Sequence, residues 1–322
     1  MANALLIVTI ATAIGLQPCQ RPLDLAGYLQ ADGAIAVRAY GNVVDPYFPT
    51  KALLVAHGAG MDVRASALAW IGWLRPRQLA DGRFERYCGT AGRWEACGEE
   101  DADDAMLALW MQLLYAMAPP DRFPGEWIST VIAAESYLET VRDPTTGVYY
   151  ISRSKPIGLF MDNIEVYAAL RESAEARRRY GDIAHAARYT QAAETLARAI
   201  DRVFYRPDRG EYAASTQARP DRSFYPDAVA QTYPWLIGFP LDRSSDRDAF
   251  RNWLRMYRAA WESPELDYPW GLVAMTAARV GDEGTAKNWV RKAASARGTR
   301  RWNVLEEAVY QALADDCGTA RK

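Results

Sequence analysis

Histidine is nearly absent: His57 and His185 are the only two in 322 residues. Chemistry that passes protons between imidazoles, or holds a metal among them, has little to draw on. His57 reads as a satisfied residue of the core or of a cavity mouth, and His185 as a surface residue. The chain also has no P-loop and no G-x-G-x-x-G, H-E-x-x-H, C-x-x-C or G-x-S-x-G motif. Gly58-Ala59-Gly60 follows an apolar helix, not a strand, and the turn from Asp143 to Gly147 lacks the alternating acids of a calcium loop. No cofactor and no metal are expected. Nor is there an excess of positive charge, since 38 Lys and Arg face 40 Asp and Glu, a formal net charge of −2. The arginines are interleaved with acids, as in RESAEARRR at 171–179, which reads as a solvated helix face. Nucleic acid is not an expected partner.

No stable membrane span is expected either. The apolar run Ala4–Leu16 falls short of the roughly 20 residues a helix needs to cross a bilayer. Residues 1–20 are expected to be a signal peptide or an N-terminal apolar segment, and 21–322 a single domain. No Lys or Arg precedes the run and no A-x-A site follows it, so the alternative is a buried first helix and a cytoplasmic chain. Cysteine is scarce but even in number, with four. Cys88 and Cys97 flank a Gly-containing turn in YCGTAGRWEACG and could bridge a hairpin. Cys19 and Cys317 lie near opposite termini and could tie a closed fold. An even count beside a signal-like segment favours a periplasmic or secreted location, the alternative being four buried thiols.

What the sequence has in quantity is apolar and aromatic side chains: 50% hydrophobic residues, 11 Trp and 18 Tyr. Helical periodicity dominates from residue 47 onward. It predicts helices near 48–57, 62–75, 104–117, 124–142, 162–180, 182–204, 227–238, 247–261, 269–280, 283–296 and 302–315. Pro and Gly clusters such as PPDRFPG at 119–125 separate them. Short β-like pieces, RFERYC, GVYYIS and EYAAS, fall between helix pairs. Alternate helices are apolar on most sides and begin near an aspartate: Asp45, Asp104, Asp162 and Asp227. Those between them are more charged. An apolar helix followed by an amphipathic one, repeated about six times, is the pattern of an all-α (α/α)6 toroid with short β-hairpins between helix pairs. Inner helices then run parallel and open on one mouth. The competing architecture is an open solenoid with repeats near 34 residues.

VDPYFPTKALLVAHGAG, LFMDNIEVYAAL, FYPDAVAQTYPWLIG and DYPWGLVAMTAARVGD together resemble the inner helices of six-hairpin glycosidases, over about residues 40–315. EEDADDAMLALWMQLL and Tyr225-Pro226-Asp227-Ala228 are similar to segments of glycoside hydrolase family 8, where a Y-D-A segment carries the catalytic base. Pro226 interrupts that match, and the first inner helix lacks that family's general-acid Glu. Unsaturated glucuronyl hydrolases use two inner-helix aspartates, which by position would be Asp104 and Asp162, but in histidine-rich surroundings absent here. The resemblance implies a hydrolase of a poly- or oligosaccharide working by carboxylate acid/base catalysis, and the signal-like segment with the even cysteine count adds the expectation that it is exported.

Such hydrolysis needs a protonated carboxyl at the leaving oxygen and a second carboxylate to activate water or attack carbon. Clustered carboxyls raise one pKa, while helix N-termini keep others ionised. Asp162 and Asp227 are the expected acid/base pair, with Asp104 orienting the sugar or water or replacing one of them. Asp101 is expected to cap the helix or touch sugar. Tyr47, Trp94, Tyr225, Tyr268 and Trp270 are expected stacking platforms, and Asn163 and Gln231 polar contacts. Every one of these aspartates could instead be a plain helix cap. The alternatives are a non-catalytic sugar-binding toroid, or a uronyl hydrolase or lyase on the same fold. Asp101-Ala102-Asp103-Asp104 also resembles the D-x-D-D proton donor of class II terpene cyclases, in which the middle Asp protonates an alkene.

Overall fold

The computed structural model describes residues 21–217, 222–240 and 246–314. Cys19, Cys317 and the apolar run Ala4–Leu16 lie outside these residues. Eleven α-helices are described: α1 Tyr47–Gly58, α2 Arg64–Leu74, α3 Asp103–Met117, α4 Gly125–Val141, α5 Phe160–Arg179 and α6 Ile183–Phe204 come first. They are followed by α7 Tyr233–Ile237, α8 Asp246–Trp261, α9 Gly271–Arg279, α10 Glu283–Ala293 and α11 Val304–Ala314. Among the described residues no helix is long and apolar enough to cross a membrane.

Burial sorts the helices into two kinds. Of the 15 residues of α3, 13 are buried, from Asp103 to Met117. In α6 the buried residues keep to one stripe along the helix: Ala186, Tyr189, Ala193, Leu196, Ala199, Ile200 and Phe204. A helix enclosed on all sides must be apolar nearly all round, whereas a helix with one wet face needs only a stripe. The odd-numbered helices form a ring in which α1 packs on α3, α3 on α5, α5 on α7, α7 on α9, α9 on α11, and α11 on α1 again. The outer helix α4 covers α3, α6 covers α5, and α10 covers α9 and α11. This return of the last inner helix to the first is what an open solenoid lacks. Buried apolar side chains from Leu23 to Val309 make one contiguous cluster.

One expected helix, 227–238, is broken. A π-type turn spans Phe224–Ala228 and α7 begins only at Tyr233. Pro234 has no N–H for the helix ladder, and Gly238 ends α7 in the left-handed conformation.

Two small antiparallel sheets decorate the barrel. In the first, β1 (Val43–Val44) pairs with β2 (Glu85–Thr90), which pairs with β3 (Arg93–Glu99). Tyr87 lies opposite Ala96 and Arg86 opposite Gly98, so Cys97 is the extra residue of a bulge. The expected Cys88–Cys97 disulfide is formed there, with Cα atoms 5.7 Å apart. In the second sheet, β4 (Tyr205–Arg206) pairs with β5 (Glu211–Tyr212). The GVYYIS segment contributes a single bridge, Arg142 to Tyr149.

Candidate active site

At the end of the barrel where the inner helices begin lies a cavity of about 610 Å³. Every inner helix contributes to its wall from its first turn or the residues just before it. Asp45, Tyr47 and Phe48 come from α1, Glu100 and Asp101 precede α3, and Met161 and Asp162 open α5. Tyr225 and Tyr233 come from the broken α7 region, Tyr268, Trp270 and Leu272 from α9, and Asn303, Leu305 and Glu306 from α11. The parallel arrangement of inner helices expected from the sequence therefore gathers these side chains at one mouth.

Capping does not explain Asp104 or Asp162. No side chain caps α3 or α5, whereas at the start of α1 Asp45 Oδ1 accepts from the Tyr47 N–H at 3.3 Å. Other capping aspartates are on outer helices: Asp182 accepts from the His185 N–H at 3.3 Å, and Asp282 from the Thr285 N–H at 3.1 Å. Asp162 is 8% exposed and lines the cavity, and its Oδ2 has no hydrogen-bond partner among the described residues. Burial, and then the charges of Asp104 and Glu165, push its pKa well above the usual carboxylate range. Asp104 sits sealed behind the wall at 0% exposure, with neither oxygen partnered. Burial pushes its pKa up to about 7.

Beside these two lies a buried group that sequence reasoning overlooked. Lys51 of α1 forms an ion pair with Glu165 of α5 and donates to the Tyr47 hydroxyl at 2.7 Å and the Tyr233 hydroxyl at 3.0 Å. The Tyr47 hydroxyl in turn donates to Glu165 Oε1 at 3.1 Å. Burial opposes the charge on Lys51, but Glu165 outweighs it and the ammonium is held firmly protonated. The signal was present: Lys51 in PTKALLVA and Glu165 in NIEVYAAL are each the one charge within an apolar helical stretch, where only a paired charge is tolerable.

A second carboxyl group forms where β1 and β2 meet α3. Arg86 Nε donates to Asp45 Oδ2 at 2.8 Å, and Glu100, 6% exposed, has an unpartnered Oε2. Burial and the charge of Asp45 push the Glu100 pKa well up. On α11, the inner helix opposite α5 in the ring, Glu306 accepts from the Gly271 N–H at 2.9 Å. Burial pushes its pKa up to about 8. The rings of Tyr225 and Trp270 stack at 4.6 Å on the cavity wall.

Of the expected site residues, Asp162, Asp101, Tyr47, Tyr225, Tyr268 and Trp270 line this cavity, and Asp104 supports it from behind. The others do not reach it. Asp227, the expected partner of Asp162, turns its carboxylate back on its own segment, accepting from Ser223 N–H at 2.9 Å and Ser223 Oγ at 3.2 Å. The π-type turn Phe224–Ala228 brings the aspartate round onto Ser223. Trp94 packs edge-on against Trp73 on the outer hairpin. Asn163 clamps backbone: its Oδ1 accepts from Tyr149 N–H at 2.7 Å, and its amide donates to Tyr149 O at 2.9 Å and Leu159 O at 2.8 Å. Gln231 does the same for Tyr212, at 3.0 and 2.7 Å. Asp103, the middle acid of D-x-D-D, is not presented to this cavity either, because it receives the Tyr137 hydroxyl at 2.6 Å and lines a separate pocket of about 180 Å³. Neither His57 nor His185 lines the cavity. Among the described residues no group of His, Cys, Asp and Glu is arranged to hold a metal ion.

No protein-family model matches the sequence, and no curated protein matches it significantly. Solved structures do match in shape. A structure described as a novel alpha-amylase from Clostridium perfringens superposes with a TM-score of 0.57 at 10% identity, over 88% of this chain and 94% of that one. A rhamnosidase from Klebsiella oxytoca with rhamnose bound gives 0.55 at 13% identity, over 83% and 56%. A D-mannose isomerase gives 0.52 at 11% identity, over 90% and 92%. At such identities the likeness carries the fold, which is the six-hairpin (α/α)6 barrel.

Proposed function

We propose that this chain is an exported glycoside hydrolase that accepts a short oligosaccharide or a chain end at the barrel mouth. The observation that carries the reading is Asp162, a buried carboxyl with a free oxygen on the wall of an aromatic-lined cavity. A cavity of about 610 Å³ is in the usual range for small-ligand pockets, about 300–1,000 Å³. With its pKa raised by burial and by the charges of Asp104 and Glu165, Asp162 serves as the acid, donating its proton to the glycosidic oxygen as the bond to the anomeric carbon breaks. Asp101 lines the same cavity, and its charge is felt at Asp162. It takes the place assigned from sequence to Asp227, drawing a proton from the attacking water. Asp104, Glu165 and Lys51 set the proton affinity of Asp162 from behind. The Tyr225–Trp270 stack offers π-faces to the C–H side of a sugar ring. The Cys88–Cys97 pair and the apolar N-terminal run support an oxidising, extracytoplasmic location.

A non-catalytic sugar-binding toroid would need no buried carboxyl with an unpartnered oxygen on the wall. An isomerase working through histidine would have no imidazole at this mouth.

The test is reducing-end release from four hexasaccharides, of α-1,4-glucose, β-1,4-glucose, β-1,4-xylose and β-1,4-glucosamine. Cleavage of at least one, lost in Asp162→Asn, is the expected result. Binding without cleavage in the wild-type chain would defeat the reading.

A further inference from the structure

Among the described residues, only two non-glycine positions adopt a left-handed backbone, Tyr40 at φ 56° and Trp270 at φ 54°. An L-residue held there stores strain, and such strain persists only where surrounding contacts enforce it. For Trp270 those contacts are unusually complete. Trp261 Nε1 donates to Pro269 O at 3.1 Å and Trp270 O at 3.2 Å, and Trp289 Nε1 donates to Pro269 O at 3.0 Å. On the other side, Glu306 takes the Gly271 N–H on both oxygens, at 2.9 and 3.2 Å. Gly271 has to be glycine for this grip to exist. A Cβ there would lie 2.8 Å from Glu306 Oε2, Trp289 Cζ2 and Val309 Cγ1 alike. The adjacent Glu307 has a different task, bound by Arg297, Trp302 and Gln311. Glu306 is instead given over to the backbone of Trp270 and Gly271, and it faces the cavity that Trp270 lines.

We propose that Glu306 is a positioning residue: by holding the Gly271 amide it fixes Trp270 in its left-handed conformation and so presents the Tyr225–Trp270 stack as the sugar-stacking wall. The ligand class is a pyranose ring whose C–H face lies on that stack, an assignment that rests on the carbohydrate reading above. Without the clamp, the chain at 270 relaxes toward negative φ and the indole swings off Tyr225. The loss falls on binding, because the carboxylate of Glu306 is spent on the backbone at 270–271 and is not bonded to Asp162.

Two readouts test this, on Glu306→Ala, Glu306→Gln and wild type, with melting curves to confirm folding. Hydrogen exchange of the peptide containing Gly271 needs no ligand. It should rise at least tenfold in Glu306→Ala and stay near wild type in Glu306→Gln, whose amide oxygen still accepts. On whichever hexasaccharide is cleaved in the screen above, Glu306→Ala should raise KM at least fivefold with kcat within twofold, and Glu306→Gln should restore KM. Wild-type exchange at Gly271 in Glu306→Ala would overturn the clamp. A fall in kcat with unchanged KM, or an equal KM change in Glu306→Gln, would overturn the positioning role. If wild type cleaves none of the four hexasaccharides while exchange responds as expected, the hydrolase assignment fails and the clamp stands.

Discussion

Asp104 and Asp162 are where residue-scale physics is most exposed. Two carboxyls that share a dry site cannot both ionise cheaply, and burial pushes both toward the protonated form. The folded-state pKa of Asp104, about 7, lies above its ordinary value of 3.8. Its contribution is therefore intact below about pH 4 and is lost as pH rises through about 7. Asp104→Asn removes that loss, so urea denaturation should find its stability relative to wild type rising between pH 4 and pH 8, by about 4 kcal/mol at most at ~1.4 kcal/mol per pKa unit. The same variant withdraws a negative charge from Asp162, so the alkaline limb of its pH–rate profile should move to lower pH. Lys51→Met leaves Glu165 charged and alone in the barrel and should cost about 3–5 kcal/mol in chemical denaturation. Adding Glu165→Leu should recover much of that. Asp162 was legible from sequence because it opens an apolar helix. Glu306 was not, because it stands beside Glu307 in an ordinary-looking VLEEAVY, and only the approach of Gly271 distinguishes the two.

At the scale of elements, the inner helices are held in register by side-chain amides gripping backbone. Asn163 holds Tyr149, Gln231 holds Tyr212, and Gln311 holds Asp24, each through both the N–H and the C=O of its target. Asn163 and Gln231 were read from sequence as sugar contacts, since an amide one position or one turn into an inner helix looks the same whether it meets a hydroxyl or a peptide. Asn163→Ala strands the N–H and C=O of Tyr149 in a buried setting and should destabilise by about 1–3 kcal/mol while leaving KM on a cleaved glycan unchanged. A change in KM with unchanged stability would return Asn163 to the binding site. Helix boundaries were readable because Pro and Gly punctuate them. The break before α7 was not, although Pro226 and Pro234 mark its two ends, because apolar periodicity runs straight through it. Asp227 shares in that miss: a helix would have aimed it at the mouth, whereas the π-type turn folds it onto Ser223.

For the whole molecule, closure of the ring converts six weak sequence signals into one site, because parallel inner helices must present their first turns at a common end. Closure was legible in the alternation of enclosed and striped helices, whereas the partners across the mouth depend on three-dimensional neighbours that no spacing encodes. The hairpin of β2 and β3 frames that mouth beside Glu100, and its disulfide spans nine residues of sequence. Reduction should lower stability by about 2–3 kcal/mol on a loop-closure argument, read as a lower denaturant midpoint for Cys88→Ser/Cys97→Ser. The central claim is that chemistry at the mouth runs through Asp162 and not through Asp227. It is tested most directly by kcat for Asp162→Asn and Asp227→Asn on the same cleaved hexasaccharide at the pH optimum. The account predicts a loss of about 10²–10⁴-fold for Asp162→Asn, as for removal of a general acid, and near wild-type turnover for Asp227→Asn. Near wild-type turnover in Asp162→Asn with a large loss in Asp227→Asn would contradict it.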